Sequence, residues 1–272
     1  MTLPNSVPWM DQFHRRFPRL AKGLFHLCRL LVWGNAPPQL FNFVGGRNFD
    51  EIGRSHFQNI LRFAGVGKDE RILDIGCGIG RVARHFASYL SERARYDGFD
   101  VVHQGISWCQ SRFSRRLPQF RFVHVDVYNK LYNPTGRLDA SSFRFPYDDA
   151  SFDFVFATSV LTHLLPDAAI NYLREMARVL DHGGRCFVTF FIIDDESKPR
   201  LADSPFPFRP HATGCWVVDV NNPETAIAYE KDDLLEMYEA AGLHIVTPIH
   251  FGDWTGRQSE VAGQDIIVAR KH

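Results

Sequence analysis

The chain of 272 residues carries no excess charge: 31 Lys and Arg balance 31 Asp and Glu. A protein that coats nucleic acid by bulk electrostatics needs a basic surplus, so nucleic acid is not expected as a partner. No run of 18 uncharged apolar residues occurs, which argues against a helix that crosses a bilayer. Cysteine is sparse and scattered. Cys28, Cys77, Cys109, Cys186 and Cys215 are odd in number, and no C-x-x-C pair is formed. That spacing suits neither a disulfide framework nor a zinc cluster and fits a reducing, cytoplasmic compartment. Nor does the start read as a signal peptide, because Pro4 and Pro8 come early and Arg29 interrupts the most apolar stretch. No internal repeat is found.

At 45% hydrophobic and 23% charged, the chain can bury a sizeable core. From residue 70 onward short β-rich runs alternate with helical patterns. Strands are expected at 71–74, 96–100, 120–127, 152–158 and 185–193, with helices at 79–90, 103–116 and 166–180 between them. A helix at 231–241 and strands at 243–249 and 264–270 follow. The glycines of Asp181-His-Gly-Gly184 are expected to end the third helix. This rhythm describes one α/β domain with a parallel sheet covered on both faces. Two segments interrupt it: 128–146, with turns at Asn133-Pro134 and Gly136, and the proline-rich 194–215, which reads as a long loop.

The most informative stretch is RILDIGCGIGR at 71–81. A buried strand runs into a glycine turn that opens a helix, so backbone amides can approach a ligand and the helix N-terminus favours negative charge. The pattern is G-x-G-x-G. The third glycine of the dinucleotide fingerprint is replaced by Arg81, which argues against NAD. Asp100 ends the second strand 20 residues after Gly80, where a carboxylate can take both hydroxyls of a ribose. Asp126 ends the third expected strand. All three acids, Asp74 included, fall at carboxyl ends of strands, where open α/β sheets bind ligands.

With these residues the chain resembles the class I S-adenosylmethionine-dependent methyltransferases over about residues 50–271. DIGCGIG (74–80), YDGFD (96–100), FPYDDASFD (145–153) and REMARVLDHGG (174–184) match four of the family's motifs in order. The resemblance implies a Rossmann-like, seven-stranded, mostly parallel sheet whose last strand is antiparallel, with S-adenosyl-L-methionine as cofactor. Gly76, Cys77 and Gly78 would line the cofactor's methionine and ribose end, with Arg81 in the same set. Asp74 would hold its amino group, Asp100 the ribose, and Asp126 with Val127 the adenine. Thr158 and Ser159 would lie under the sulfonium. The family usually passes from the third-strand acid to the next motif in fewer residues than 128–146 supplies, so Asp139 or Ser141 stands as an alternative adenine contact.

Within the family, the chain has no Asn/Asp-Pro-Pro-aromatic tetrad of amino-group DNA methyltransferases and no Pro-Cys pair. It has no acidic cluster after the fourth strand to hold magnesium. The expectation is therefore a metal-independent enzyme methylating oxygen, or nitrogen, of a small-molecule acceptor by in-line displacement. His163 is the candidate base, since imidazole titrates near neutrality; fixing its own loop is the other role open to it. Trp254, His211 and Arg257 are candidate acceptor contacts, within inserts at 194–215 and 250–263. An apolar or planar acceptor, or a cation–π contact to the sulfonium, suits the aromatics there, whereas Phe152, Phe154 and Phe156 are read as core. A catalytically silent S-adenosylmethionine-binding protein is the rival from another class.

The balanced charge hides an asymmetry. Residues 1–49 hold six basic residues and one acid, leaving 25 basic and 30 acidic for the rest. The segment 19–33 reads as an amphipathic helix, with Leu20, Leu24, Leu27 and Leu31 on one stripe and Arg19, Lys22, His26 and Arg29 roughly opposite. Residues 1–48 are thus expected to form a basic helical cap over a methyltransferase domain at 49–272, with Pro37-Pro38 and Gly45-Gly46 as hinges. The other reading is peripheral membrane contact through 15–33, with a lipid or glycan as acceptor.

Overall fold

The structure, a computed structural model, describes residues 48–272 except Thr213, and for Thr247 the backbone only. The expected cap, its helix and its hinges therefore lie outside the described residues, save Asn48.

Seven strands form the main sheet: β1 (Arg71–Ile75), β2 (Arg95–Asp100), β3 (Phe120–His124), β4 (Phe152–Ala157), β5 (Leu180–Phe190), β10 (Leu243–His250) and β11 (Asp265–Lys271), in the order β10-β11-β5-β4-β1-β2-β3. All neighbours are parallel except β11, which runs antiparallel to both β5 and β10. This is the expected Rossmann-like sheet.

Residue alternation builds its two faces. Leu73, Ile75, Val155, Ala157 and Val188 point to one side, against helices α4 (Pro166–Val179) and α5 (Lys231–Ala240). Ile72, Phe154, Phe156 and Phe187 point to the other, against α1 (Phe49–Asn59), α2 (Ala83–Tyr89) and α3 (His103–Cys109). Because both faces are covered, the central strands read as nearly unbroken apolar runs. Phe152, Phe154 and Phe156 are fully buried, as expected for core, and each contributes roughly 2 kcal/mol of hydrophobic stabilisation.

Three expectations need correction. The third strand ends at His124, so Asp126 lies past its tip in the following loop. The 181–184 turn does not close α4. That helix ends at Val179, and Asp181-His-Gly-Gly184 forms a bulge inside β5, where the register with β4 jumps from Leu180 to Arg185. The 194–215 stretch is not simply a loop. It contributes to a second sheet of β6 (Ile192–Ile193), β7 (Arg209–Ala212), β8 (Cys215–Val217) and β9 (Ile227–Glu230), in the order β6-β9-β8-β7. Since β6 follows β5 almost directly, this sheet grows from the carboxyl edge of the main one.

The long 128–146 segment is strapped to α4. Asn171 donates to the carbonyls of Ala140 and Phe143, and Arg178 donates to those of Phe145 and Tyr147. Buried Glu175 accepts the Phe145 amide at 2.7 Å. No helix among the described residues is long and apolar enough to cross a membrane.

Candidate active site

Strand order reverses at β1, which has β2 on one side and β4 on the other. The turns leaving β1 and β4 diverge there and open a crevice at the carboxyl ends of the strands. A cavity of about 1320 Å³ occupies it, bounded by the described residues. Pockets for one small ligand usually measure about 300–1,000 Å³, so this one has room for two molecules side by side.

One wall comes from the tips of β1, β2 and β3. Gly76, Gly78 and Gly80 all adopt the left-handed conformation, with φ of 69°, 55° and 77°. A Cβ on Gly76 would also collide with Val160, so only bare backbone can turn here. Asp100 faces the cavity; its carboxylate accepts the Gly78 and Val102 amides at 2.7 Å each. An ionised carboxylate has about four acceptor sites, which leaves capacity for ligand hydroxyls. Burial raises its pKa, and the two amide bonds oppose that rise.

Gly76, Gly78, Arg81, Asp100, Val127, Thr158, Ser159, His163 and Trp254 all line the cavity. Asp74, Cys77 and Asp126 stand outside its wall. Asp74 is buried below the glycine turn, accepts the Tyr96 hydroxyl at 2.6 Å, and is pushed up to about 8, mainly by burial. Cys77 points into the core, close against Gly98. Asp126 is held by Arg137 at 2.7 Å and by Asn133, and these contacts lower its pKa. Asp139 binds the Ser141 amide and hydroxyl, and neither residue lines the cavity.

His211 lies on the exposed strand β7 and also stays outside the wall. Arg257 is buried and pairs with Asp194 at 2.6 Å, its guanidinium over the Phe251 ring. It serves to fasten the 194–200 segment to the 251–264 segment.

The other wall is built from the second sheet and the turns around it. His163 sits on a short turn, Leu161–His163, whose Leu161 and Leu164 carbonyls both accept the hydroxyl of Tyr229 from β9. Its Nδ1 lies 2.8 Å from the carbonyl oxygen of Glu224. A carbonyl only accepts, so Nδ1 carries the hydrogen and Nε2 of the neutral ring keeps its lone pair. Burial lowers the pKa of His163 below the ordinary 6.5, so the ring is neutral at pH 7. The 128–138 loop braces the same corner. The Lys130 amide binds the Glu224 carboxylate at 2.8 Å, and Tyr132 meets the His163 ring edge to face.

Trp254, Phe191 and Phe206 supply an aromatic lining beyond His163, with Phe208 packed behind. Their floor is Asp265, which accepts the Gly252 and Ile192 amides at 2.7 Å and the Trp254 indole at 2.9 Å. Burial raises its pKa to about 7.

Several cavity residues carried no signal in the sequence. His56 reaches the wall from α1 beside Arg81; burial and that guanidinium lower it to about 4. Tyr132, Tyr172 and Gln264 also face inward. Each sits in a stretch whose apolar or polar pattern reads as ordinary core or loop.

Residues 73–188 match the family described as a methyltransferase domain. An O-methyltransferase of Penicillium expansum, cnsE, is 27% identical over 179 residues, covering 65% of this chain and 53% of that protein. The 27-O-demethylrifamycin SV methyltransferase of Amycolatopsis mediterranei is 34% identical over 135 residues, 50% of this chain and 43% of that one. The chain thus spans about half the length of the curated relatives it matches. Among solved structures, 1,6-didemethyltoxoflavin-N1-methyltransferase of Burkholderia thailandensis, with S-adenosylhomocysteine bound, aligns with TM-score 0.53 at 18% identity. That alignment covers 100% of this chain and 93% of the other. Residues 73–188 are thus a methyltransferase domain, and the fold around them is that of S-adenosylmethionine-dependent methyltransferases.

Proposed function

We propose that the chain transfers a methyl group from S-adenosylmethionine to an oxygen of a small-molecule acceptor, without a metal, and that His163 is the base. The cofactor supplies a methyl group already activated on a sulfonium. The residues of the first wall suit it: a glycine turn that only bare backbone can make, and a carboxylate, Asp100, with acceptor sites to spare for ribose hydroxyls. What is left for the chain is alignment and proton removal.

The observation that carries the reading is the Nδ1 contact of His163 to the Glu224 carbonyl. It fixes the tautomer, so Nε2 is the atom that takes the proton of an acceptor hydroxyl. An oxygen acceptor needs this step more than an amine does, which favours oxygen over nitrogen. The aromatic lining suits an apolar or planar acceptor. The test is methyl transfer from deuteromethyl-labelled S-adenosylmethionine to a panel of phenols and amines, read by mass spectrometry with chelator present. Transfer to phenols that His163→Ala abolishes supports the reading. Transfer to amines alone, or full turnover in His163→Ala, overturns it.

A further inference from the structure

Gln264 lies just ahead of β11 and faces the cavity across Thr189 of β5 from the tip of β4. The glycine turn and Asp100 are on the far side of β4, so Gln264 belongs to the acceptor half. Its amide orientation follows from hydrogen bonding. Thr189 Oγ1 accepts the Ser159 amide at 2.8 Å, which leaves the threonine's own hydrogen to donate. That hydroxyl is 2.6 Å from the Gln264 side chain, a separation typical of O–H···O and short for N–H···O. The Ser159 hydroxyl donates to the same oxygen at 3.0 Å. With Oε1 turned to the strand tips, the amide nitrogen keeps two N–H groups, and no hydrogen bond from it is made among the described residues.

The group has little room to swing. Ser159 is held in the left-handed conformation, φ 57°, by the same Thr189 contact. Behind Gln264, the Gly263 amide is tied to Asp253 at 2.6 Å, and Asp265 collects the bonds from Gly252, Ile192 and Trp254. A rigid, unpaired donor in a cavity wall recognises an oxygen.

We propose that Gln264 is a specificity-determining residue that donates to an oxygen of the acceptor other than the one methylated. The acceptor class is then a hydroxyl compound with a carbonyl close to the reacting hydroxyl, such as a phenolic or enolic ketone. This rests on the methyltransferase reading.

The test titrates the full chain, loaded with S-adenosylhomocysteine, with 2-hydroxyacetophenone and with 2-ethylphenol, which has no carbonyl. The ketone should bind about tenfold more tightly. Gln264→Leu should erase that preference by weakening the ketone alone, with affinity for S-adenosylhomocysteine unchanged as a check on folding. Gln264→Glu, whose carboxylate has no hydrogen to donate, should weaken the ketone further. Equal binding of the two phenols, binding of neither, or a preference that survives in Gln264→Leu overturns the proposal while leaving cofactor binding intact. Loss of S-adenosylhomocysteine binding by the unmodified chain overturns the methyltransferase reading and this proposal with it.

Discussion

The two walls of the cavity are made in different ways. At the tips of β1 and β2 the wall is largely backbone: two left-handed glycines, Gly76 and Gly78, and one carboxylate held by two amides. The opposite wall is side chain: an imidazole, an aromatic lining and an amide, held by a four-stranded sheet that grows from the end of β5. Each rests on a buried carboxylate whose pKa burial raises: Asp265, which accepts three N–H groups, and Asp74, which accepts the Tyr96 hydroxyl. A backbone wall accommodates one cofactor in one pose. A side-chain wall can be respecified residue by residue, which is where an acceptor must be read.

If that division holds, changes to one wall should leave the other's task intact. The largest separation is expected at His163. His163→Ala should lower kcat for methyl transfer to a phenol by about 10²–10⁴-fold, with affinity for S-adenosylhomocysteine unchanged. In the parent protein activity should fall as pH drops through a value below 6.5, because burial depresses the imidazole's pKa and protonation removes the base. That limb should vanish in the variant. Next in size is Asp265→Ala, which strands three buried N–H donors and should cost about 3 kcal/mol or more in denaturant unfolding.

Gly76→Ala should cost about 1–3 kcal/mol of stability and weaken S-adenosylhomocysteine binding measured by calorimetry, its Cβ also pressing on Val160 at the start of the His163 turn. Tyr229→Phe removes the hydroxyl that ties down the His163 turn and should cost about 1 kcal/mol. It should shift the acid limb of the rate profile without changing cofactor affinity. A further prediction concerns the pH dependence of stability. Asp74 is ordinarily ionised above 3.8 but is held protonated up to about 8, so its contribution is full at low pH and is lost as pH rises through that interval. Asp74→Asn should flatten the fall in Tm between pH 4 and 8.

The same division governs how much was legible in the sequence. The first wall is written in local pattern: RILDIGCGIG needs a strand, a turn of left-handed glycines and a helix, and Asp100 follows at a fixed interval. The parallel sheet is legible in the strand–helix rhythm, and its antiparallel β11 came with the family resemblance. Asp74 and Cys77 share that pattern but face inward, because side chains alternate along a strand and its turn, and a spacing rule does not show direction. The second wall has no such pattern. All four residues of β7 are exposed, and Pro210 interrupts them, so the stretch looks like loop. Arg257 and His211 were sensible polar candidates, but the first has an acid partner and the second is outward. Gln264 acquires meaning from Thr189 and Ser159, 75 and 105 residues away, which no local reading joins.

The central claim is that the glycine turn and Asp100 hold S-adenosylmethionine. Isothermal titration of the full chain with S-adenosylhomocysteine tests it most directly, beside Asp100→Ala. Stoichiometric binding that weakens at least about tenfold in the variant is the predicted result. No binding by the folded protein, or equal binding by both, would contradict it.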